Sequence, residues 1–449
     1  MRVNTFLITA ALSLAIFISS LVYFAGDYFL DGILHSPTHV LRHDPDGTVT
    51  FLLLGTGDAD HTSPDLTDAI MIVNLHLKKP PSASLLSVPR DLLMINKKQE
   101  SEGKINSLYA ALKSNALRNS PKPTLDEASL QSLEGTKQYF SERLSLPIHY
   151  VVKLDFSAFE KAIDLVGGVE IFVPKDIVDY SFPLDNTTVG EWRIGKGMHT
   201  LSGKEALRYA RSRHSTTDFD RSARQQLIMK AFLTALKQSL LRDPRSLLSL
   251  YSLFSAHIVT DLTSDEVIAI ARATRILTPD RIIAMQLNFY TGGDVQKPQH
   301  AGMLYSPPSA LFGSASVLLP VAVSPALDDW SQIRILASYL ASHAEYYFDN
   351  HSIDIVSSRT AQALELRNEL IRYGFSAEVR RHSGETLSDS DAFLCARQIS
   401  AREFADFLSK EVGIRVSASC PSIDSLSGSV LISLGSRYRF TPIAIQKMQ

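Results

Sequence analysis

The segment Val49–Leu54, VTFLLL, is a nearly unbroken apolar run. A strand of this kind is wetted on neither face, so it belongs in the middle of a covered sheet. The segments after it alternate in type. Ala69–Leu77 and Ser84–Val88 read as strands, with Lys78–Ser82 and its prolines as the turn between them. Ser107–Leu117 and Ala128–Leu144 read as helices, Ile148–Leu154 as a strand, Ser157–Val166 as a helix stopped by Gly167 and Gly168, and Val169–Val173 as a strand. Strands alternating with helices give a layered α/β domain.

If the second and third strands form a hairpin, three charged groups fall at one edge of the sheet. Asp58 lies in the acidic loop GTGDADHTSPDLTD after the first strand, Asp68 opens the second, and Arg90 leaves the third in the run Pro89-Arg90-Asp91. Two carboxylates beside an arginine suit a hard divalent cation with a phosphate bridging to it; a solvated acidic loop is the plainer alternative. GTGDAD lacks the Lys-Ser/Thr of a P-loop and the third glycine of a dinucleotide fingerprint, which excludes both.

A second charged feature is Glu205–Gln225, with Arg208, Arg211, Arg213, Arg221 and Arg224 against Glu205, Asp218 and Asp220. Ser202 and Glu205 form an S-x-x-E box that starts one helix. A turn at His214–Thr217 separates it from a second helix, Asp218 to about Leu240. At about 100° per residue, Arg221, Arg224, Gln225 and Ile228 share one arc, and Ala231, Phe232 and Ala235 continue it. Arginines on an apolar face need acceptors. Either the nearby carboxylates supply them or a bound phosphate does; five arginines against three acids favour the external anion.

The 449 residues allow two or three domains. Thr5–Ala25 is 21 residues without a charge, long enough to span a bilayer as a helix. A cleaved signal peptide would want a small residue where Tyr23 stands. The expectation is an uncleaved anchor with residues 1–4 inside, a linker over 26–46, and the bulk of the chain outside the cytoplasm. Asp179–Gly197 and Asn288–Pro325 read as irregular, Pro244–Ala256 and Ser264–Leu277 as helices. After a connector over 326–350, helical from Trp330 to Tyr347, residues 351–449 read as a small α/β domain with strands at Ile353–Val356, Ser376–Val379, Ala392–Ala396, Arg415–Ala418 and Val430–Leu434. Its Cys395 and Cys420 could pair outside the cytoplasm or stay as thiols. Neither has the spacing of a zinc site. Net charge is −2, with no basic stripe for nucleic acid.

These motifs, in order, resemble the LytR-CpsA-Psr family. FLLLGTGD, LTDAIMIVNL, LLSVPRD, KINSLYA, HYVVKLDFSAFEKAIDLVGGVEIFVP and LSGKEALRYARSRHSTTDFDRSARQQ each match a block of its pattern, over a domain spanning 47–325. The segment 351–449 more weakly resembles the small domain that often comes after this module. The resemblance implies a membrane-anchored enzyme with a central mixed sheet and its catalytic domain outside. Such an enzyme moves a glycopolymer with its phosphate from a polyprenyl-pyrophosphate carrier onto peptidoglycan, assisted by Mg2+, with Mn2+ as the substitute. Carried over by position, Asp58 and Asp68 would hold the metal, and Arg90, Arg211, Arg213, Arg221 and Arg224 would grip pyrophosphate. Asp218 would position arginines or take the acceptor proton. Lys104, Asn106 and Gln225 would contact substrate. The loop departs from the family's G-x-D, so Asp60 stands as the alternative to Asp58. Phosphoryl transfer needs positioning and neutralised charge more than a covalent nucleophile, which agrees with this inventory. Hydrolysis of the pyrophosphate, or binding and regulation without chemistry, are the competing functions.

Overall fold

A computed structural model describes residues 41–448, apart from 59–62, 79, 97, 120, 122, 184–187, 213–223, 225–226, 229–230, 233–234, 236–257, 264, 267–268, 271–272, 274–276, 288, 291–301, 358, 381–390 and 422–425. The chain forms two compact units, one of residues 1–92 and 103–284, the other of 93–102 and 285–449. This division differs from a cut at residue 325. It also lends the segment 93–102 to the second unit.

In chain order the first elements are β1 (Thr48–Gly55), β2 (Ala69–His76), β3 (Ser82–Val88), β4 (Leu93–Ile95) and β5 (Ser101–Lys104). They are followed by α1 (Leu108–Arg118), α2 (Leu125–Leu144), β6 (Tyr150–Leu154), α3 (Phe156–Leu165), β7 (Val169–Val173), β8 (Ile177–Pro183), β9 (Val189–Ile194), β10 (Gly197–Leu201), α4 (Gly203–Arg211), β11 (Ile258–Thr260) and β12 (Ile282–Gln286). The main sheet has six strands in the order β11-β6-β1-β2-β3-β12. Every residue of β1 is buried. It pairs antiparallel with β2 and parallel with β6, so the sheet is mixed. Against one face, Phe51, Leu53, Met71 and Val152 pack with Phe159 and Ile163 of α3 and Ala206 and Tyr209 of α4. On the other side α1 packs on α2, which lies against β6.

Each helix start has a local cause. Thr124 and Glu127 make a capping box at α2, which extends the helix three residues upstream of its apolar pattern. Ser202 and Glu205 make the expected box at α4. Asp155 caps α3 by accepting the Ala158 N–H at 2.9 Å. Gly167 and Gly168 end α3 at φ +85° and +91°, which side-chain-bearing residues resist.

Three features depart from the sequence reading. Within 179–197, β8 and β9 pair antiparallel, and β10 pairs with β7. Within 288–325 lies a sheet of three two-residue strands, β13 (Phe289–Tyr290), β14 (Leu304–Tyr305) and β15 (Leu319–Pro320). Residues 415–418 make a single bridge, Leu394↔Val416, rather than a strand.

The second unit continues with α5 (Ser331–Ser342), α6 (Glu345–Phe348), β16 (Ser352–Ser357), α7 (Thr360–Arg372), β17 (Ser376–Arg380), β18 (Phe393–Ala396), α8 (Arg402–Val412), β19 (Val430–Leu434) and α9 (Ile443–Gln446). Its sheet runs β17-β16-β19-β18, with β18 antiparallel. Cys395 and Cys420 form a disulfide with Cα atoms 5.5 Å apart. Thr5–Ala25 lies outside the described residues. Among the described residues no helix is long and apolar enough to cross a membrane.

Candidate functional site

The register of the main sheet fixes where its charged ends fall. Gly55 of β1 pairs with Ala69 of β2, and Ile70 pairs with Val88 of β3. The exit of β1, the entry of β2 and the exit of β3 therefore share one edge. It is also the carboxyl edge of the parallel pair β1 and β6, where α/β sheets commonly bind ligands.

Asp68 is 6% exposed and accepts from Arg90 Nη1 at 2.7 Å. The Arg90 Nε lies 3.7 Å from Asp91 Oδ2, and Lys104 Nζ donates to Asp91 Oδ1. Acids and bases thus alternate along Asp68, Arg90, Asp91 and Lys104. Backbone bonds hold the last of these in place. Ile105 N–H donates to Leu92 O at 2.8 Å, Asn106 N–H to Arg90 O at 3.3 Å, and Thr67 N–H to Asn106 O at 2.9 Å. Asn106 is accordingly buried between the entry of β2 and the exit of β3. Asp58 sits three residues past β1, where its Oδ1 accepts the Ser157 N–H at 2.8 Å. That N–H belongs to the open first turn of α3, whose dipole favours an anion.

Helix α4 carries the first part of the arginine-rich segment. Gly203 opens α4 against the backbone of Glu160, where a Cβ would lie 2.1 Å from the carbonyl oxygen. Asp164 also accepts the Gly203 N–H at 2.7 Å. Helix α4 therefore starts beside the later half of α3 and shares the core of Phe159 and Ile163 with it.

Arg224 is 6% exposed, on the buried arc with Ile228 and Phe232. Its Nη2 donates to Ser212 O at 2.7 Å, and its guanidinium lies 5.8 Å from the Tyr209 ring centroid. One acceptor is thus a helix-end carbonyl, an arrangement outside both sequence alternatives. A cation there also offsets the negative end of α4. Burial pushes the Tyr209 hydroxyl up, against the pull of Arg224. The side chain of Arg211 and residues Asp60, Arg213, Asp218, Arg221 and Gln225 lie outside the described residues.

Sequence reasoning passed over Lys153. It is the fourth residue of β6, beside Leu54 of β1. Its ammonium lies 5.6 Å from the Tyr109 ring centroid, and Lys113 lies 5.8 Å from the same ring. Burial holds Lys153 below the usual lysine range, and Lys113 adds to this. Lys113 is paired with Asp65, in the loop between Asp58 and Asp68, at 2.7 Å. A charged letter inside an apolar strand was the available signal.

Asp58 and Asp68 are hard oxygen donors; Asp58 Oδ1 accepts the Ser157 N–H and Asp68 Oδ1 accepts from Arg90 Nη1. A carboxylate offers about four lone-pair sites, so neither contact closes it to a cation. Among the described residues no three His, Cys, Asp or Glu side chains gather into a cage.

The LytR_cpsA_psr family model matches residues 33–304. Among curated proteins, the chain is 29% identical over 167 residues to the polyisoprenyl-teichoic acid–peptidoglycan teichoic acid transferase TagT of Bacillus subtilis, covering 37% of this chain and 45% of that protein. It is 33% identical over 188 residues to the regulatory protein MsrR of Staphylococcus aureus, covering 41% and 48%. The chain thus spans less than half the length of either relative. Among solved structures, that of Bacillus subtilis TagV aligns over 68% of this chain and 99% of its own, at 21% identity and a TM-score of 0.43.

Proposed function

The chain belongs to the LytR-CpsA-Psr family, and from that premise we propose that it transfers a glycopolymer with its phosphate from a polyprenyl-pyrophosphate carrier onto peptidoglycan. The observation that carries this reading is the charged row at the sheet edge, where buried Asp68 holds Arg90 and Asp91 pairs with Lys104. A carrier pyrophosphate spreads charge over its oxygens, and preorganised cations stabilise that charge as the bond breaks.

In the proposed reaction a sugar hydroxyl of peptidoglycan attacks the phosphorus that bears the polymer. A new P–O bond forms and the pyrophosphate bridge breaks. The pair of electrons leaves with polyprenyl phosphate, and the hydroxyl proton goes to a carboxylate, for which Asp218 is the candidate. Arg90 grips phosphate oxygen, and Asp68 holds its guanidinium in place. Arg211, Arg213, Arg221 and Arg224 complete the cationic wall, although Arg224 does so by fixing the end of α4. Lys104, Asn106 and Gln225 contact the polar part of the substrate. Mg2+, or Mn2+ in its place, bound by Asp58 and Asp68 would neutralise further phosphate charge.

The disulfide agrees with an extracytoplasmic location, since such bonds persist in oxidising compartments. The proposed arrangement is a single-pass membrane protein with residues 1–4 inside. The test is incubation of the whole chain with a short polyprenyl-pyrophosphate sugar, Mg2+ and a peptidoglycan oligomer. Mass spectrometry should find a phosphodiester-linked product with the natural chain and not with Asp68→Ala or Arg211→Ala. Cleavage without transfer would establish a hydrolase instead. Tight carrier binding without turnover in all three would establish a binding or regulatory protein.

A further inference from the structure

We propose that the second unit carries a separate binding site for an anionic saccharide, in a cavity shaped by the Cys395–Cys420 disulfide. The cavity has a volume of about 430 Å3 and is walled by Phe393, Arg415, Ser417, Ser419 and Cys420 among others. That volume lies in the range of small-ligand sites.

Two ties on consecutive residues of β18 create it. Leu394 N–H donates to Arg415 O at 2.9 Å, and Ser417 N–H donates to Leu394 O at 2.7 Å. The next residue of β18, Cys395, is bonded to Cys420. The stretch between the ties is too long to lie along one strand step, so it bows outward. Ser417 Oγ donates to Ser419 O at 2.8 Å and folds the bow on itself. The inner tie is buried, with Cys395 only 1% exposed, so the loop is anchored to the core rather than to the surface.

The wall chemistry selects the ligand. Among the described residues, the exposed Arg415 side chain makes no ion pair or hydrogen bond and no acid lines the cavity. Guanidinium pairs best with a carboxylate or phosphate, through two parallel donors. Phe393, half-buried beside it, offers an apolar face for the C–H side of a sugar ring. Backbone and hydroxyl groups of the bow supply neutral hydrogen bonds. A sugar bearing a carboxylate or a phosphate satisfies all three. The inference is independent of the transfer reaction, because none of these residues belongs to that site.

The experiment is titration calorimetry on the whole chain in detergent with three probes. These are an N-acetylmuramyl dipeptide for the carboxylate source, a glycerol-phosphate oligomer for the phosphate source, and a neutral N-acetylglucosamine oligomer. At least one anionic probe should bind, and the neutral one should bind at least tenfold more weakly. Arg415→Ala should weaken the anionic probe by about tenfold to a hundredfold, the cost of a lost charge-assisted hydrogen bond. Arg415→Lys should restore part of it. Arg211→Ala should leave binding unchanged. Reducing the disulfide should weaken binding with far-ultraviolet circular dichroism preserved. Equal binding by the natural chain and Arg415→Ala, equal affinity for the neutral probe, loss in Arg211→Ala, or no binding of either anion at millimolar concentration would each overturn the proposal.

Discussion

Asp68 and Arg90 meet at 2.7 Å with side-chain exposures of 3% and 18%. Removing one partner of such a pair leaves a poorly solvated charge behind. Asp68→Asn should therefore cost about 2 kcal/mol, below the ~3–5 kcal/mol of a fully buried pair because Arg90 keeps some solvent. Chemical denaturation checks this, and activity should fall by at least about a hundredfold, as when a group that stabilises transition-state charge is removed. Arg224 should behave otherwise. Its bond to Ser212 O anchors the end of α4, so Arg224→Ala should cost about 1.5–3 kcal/mol, the range for a hydrogen bond to a charged group. A thermal melt should register that loss with no substrate present. Periodicity predicted that Arg224 is buried. It could not predict a carbonyl acceptor, because Ser212 meets Arg224 only once two helices have turned on each other.

Among elements, the three-strand core was legible because β1, β2 and β3 are local and strongly apolar. Their shared edge followed from a short turn. The hairpin of β8 and β9 was not legible. Val189–Ile194 alternates exposed with half-buried residues, and its apolar letters are too few to stand out. The edge strand β11 has three residues and exists only because β6 is there to pair with it. At Gly203 the physical reason for the residue is visible only in three dimensions. Gly203→Ala would press a methyl group into the Glu160 carbonyl, and overpacking of this kind costs about 1–3 kcal/mol. Activity should fall by a larger factor than stability predicts, because the displaced helix carries Arg211; melting and product assays on one preparation separate the two. The sheet also has a buried polar row. Thr50 Oγ1 donates to Asn74 Oδ1 at 3.0 Å, and Asn74 Nδ2 donates to Ser84 Oγ at 3.0 Å. Asn74→Leu would take the acceptor from the buried Thr50 hydroxyl at a cost of about 1–3 kcal/mol, read from a denaturation midpoint.

For the whole molecule, pH acts through His149. Burial lowers its pKa, only partly opposed by Asp44, with Arg42, His43 and Lys137 reinforcing the shift. Its Nδ1 accepts the Thr50 N–H at 3.0 Å, which places the neutral ring's proton on Nε2, 3.7 Å from Asp44. The unfolded chain takes up this proton first, at about 6.5. Stability from the neutral ring is therefore present above about 6.5 and is lost as pH falls from there to the depressed folded value. The melting temperature should drop between pH 7.5 and 5.5, and His149→Gln should shrink that drop. The partition of the chain has a consequence in time. Residues 93–102 lie between Arg90 and Lys104, yet their partners come from the far end of the sequence. Leu93 N–H donates to Leu318 O, and Leu327 N–H donates to Gln99 Oε1 across 228 residues. A ribosome adds about 5–20 residues per second, so the nascent chain waits on the order of ten seconds or more between making this finger and making what receives it. During that interval Arg90 and Lys104 flank an unseated loop. The finger can seat only when translation is almost over, so the second unit must wait for its late segments to take up a stretch made long before them.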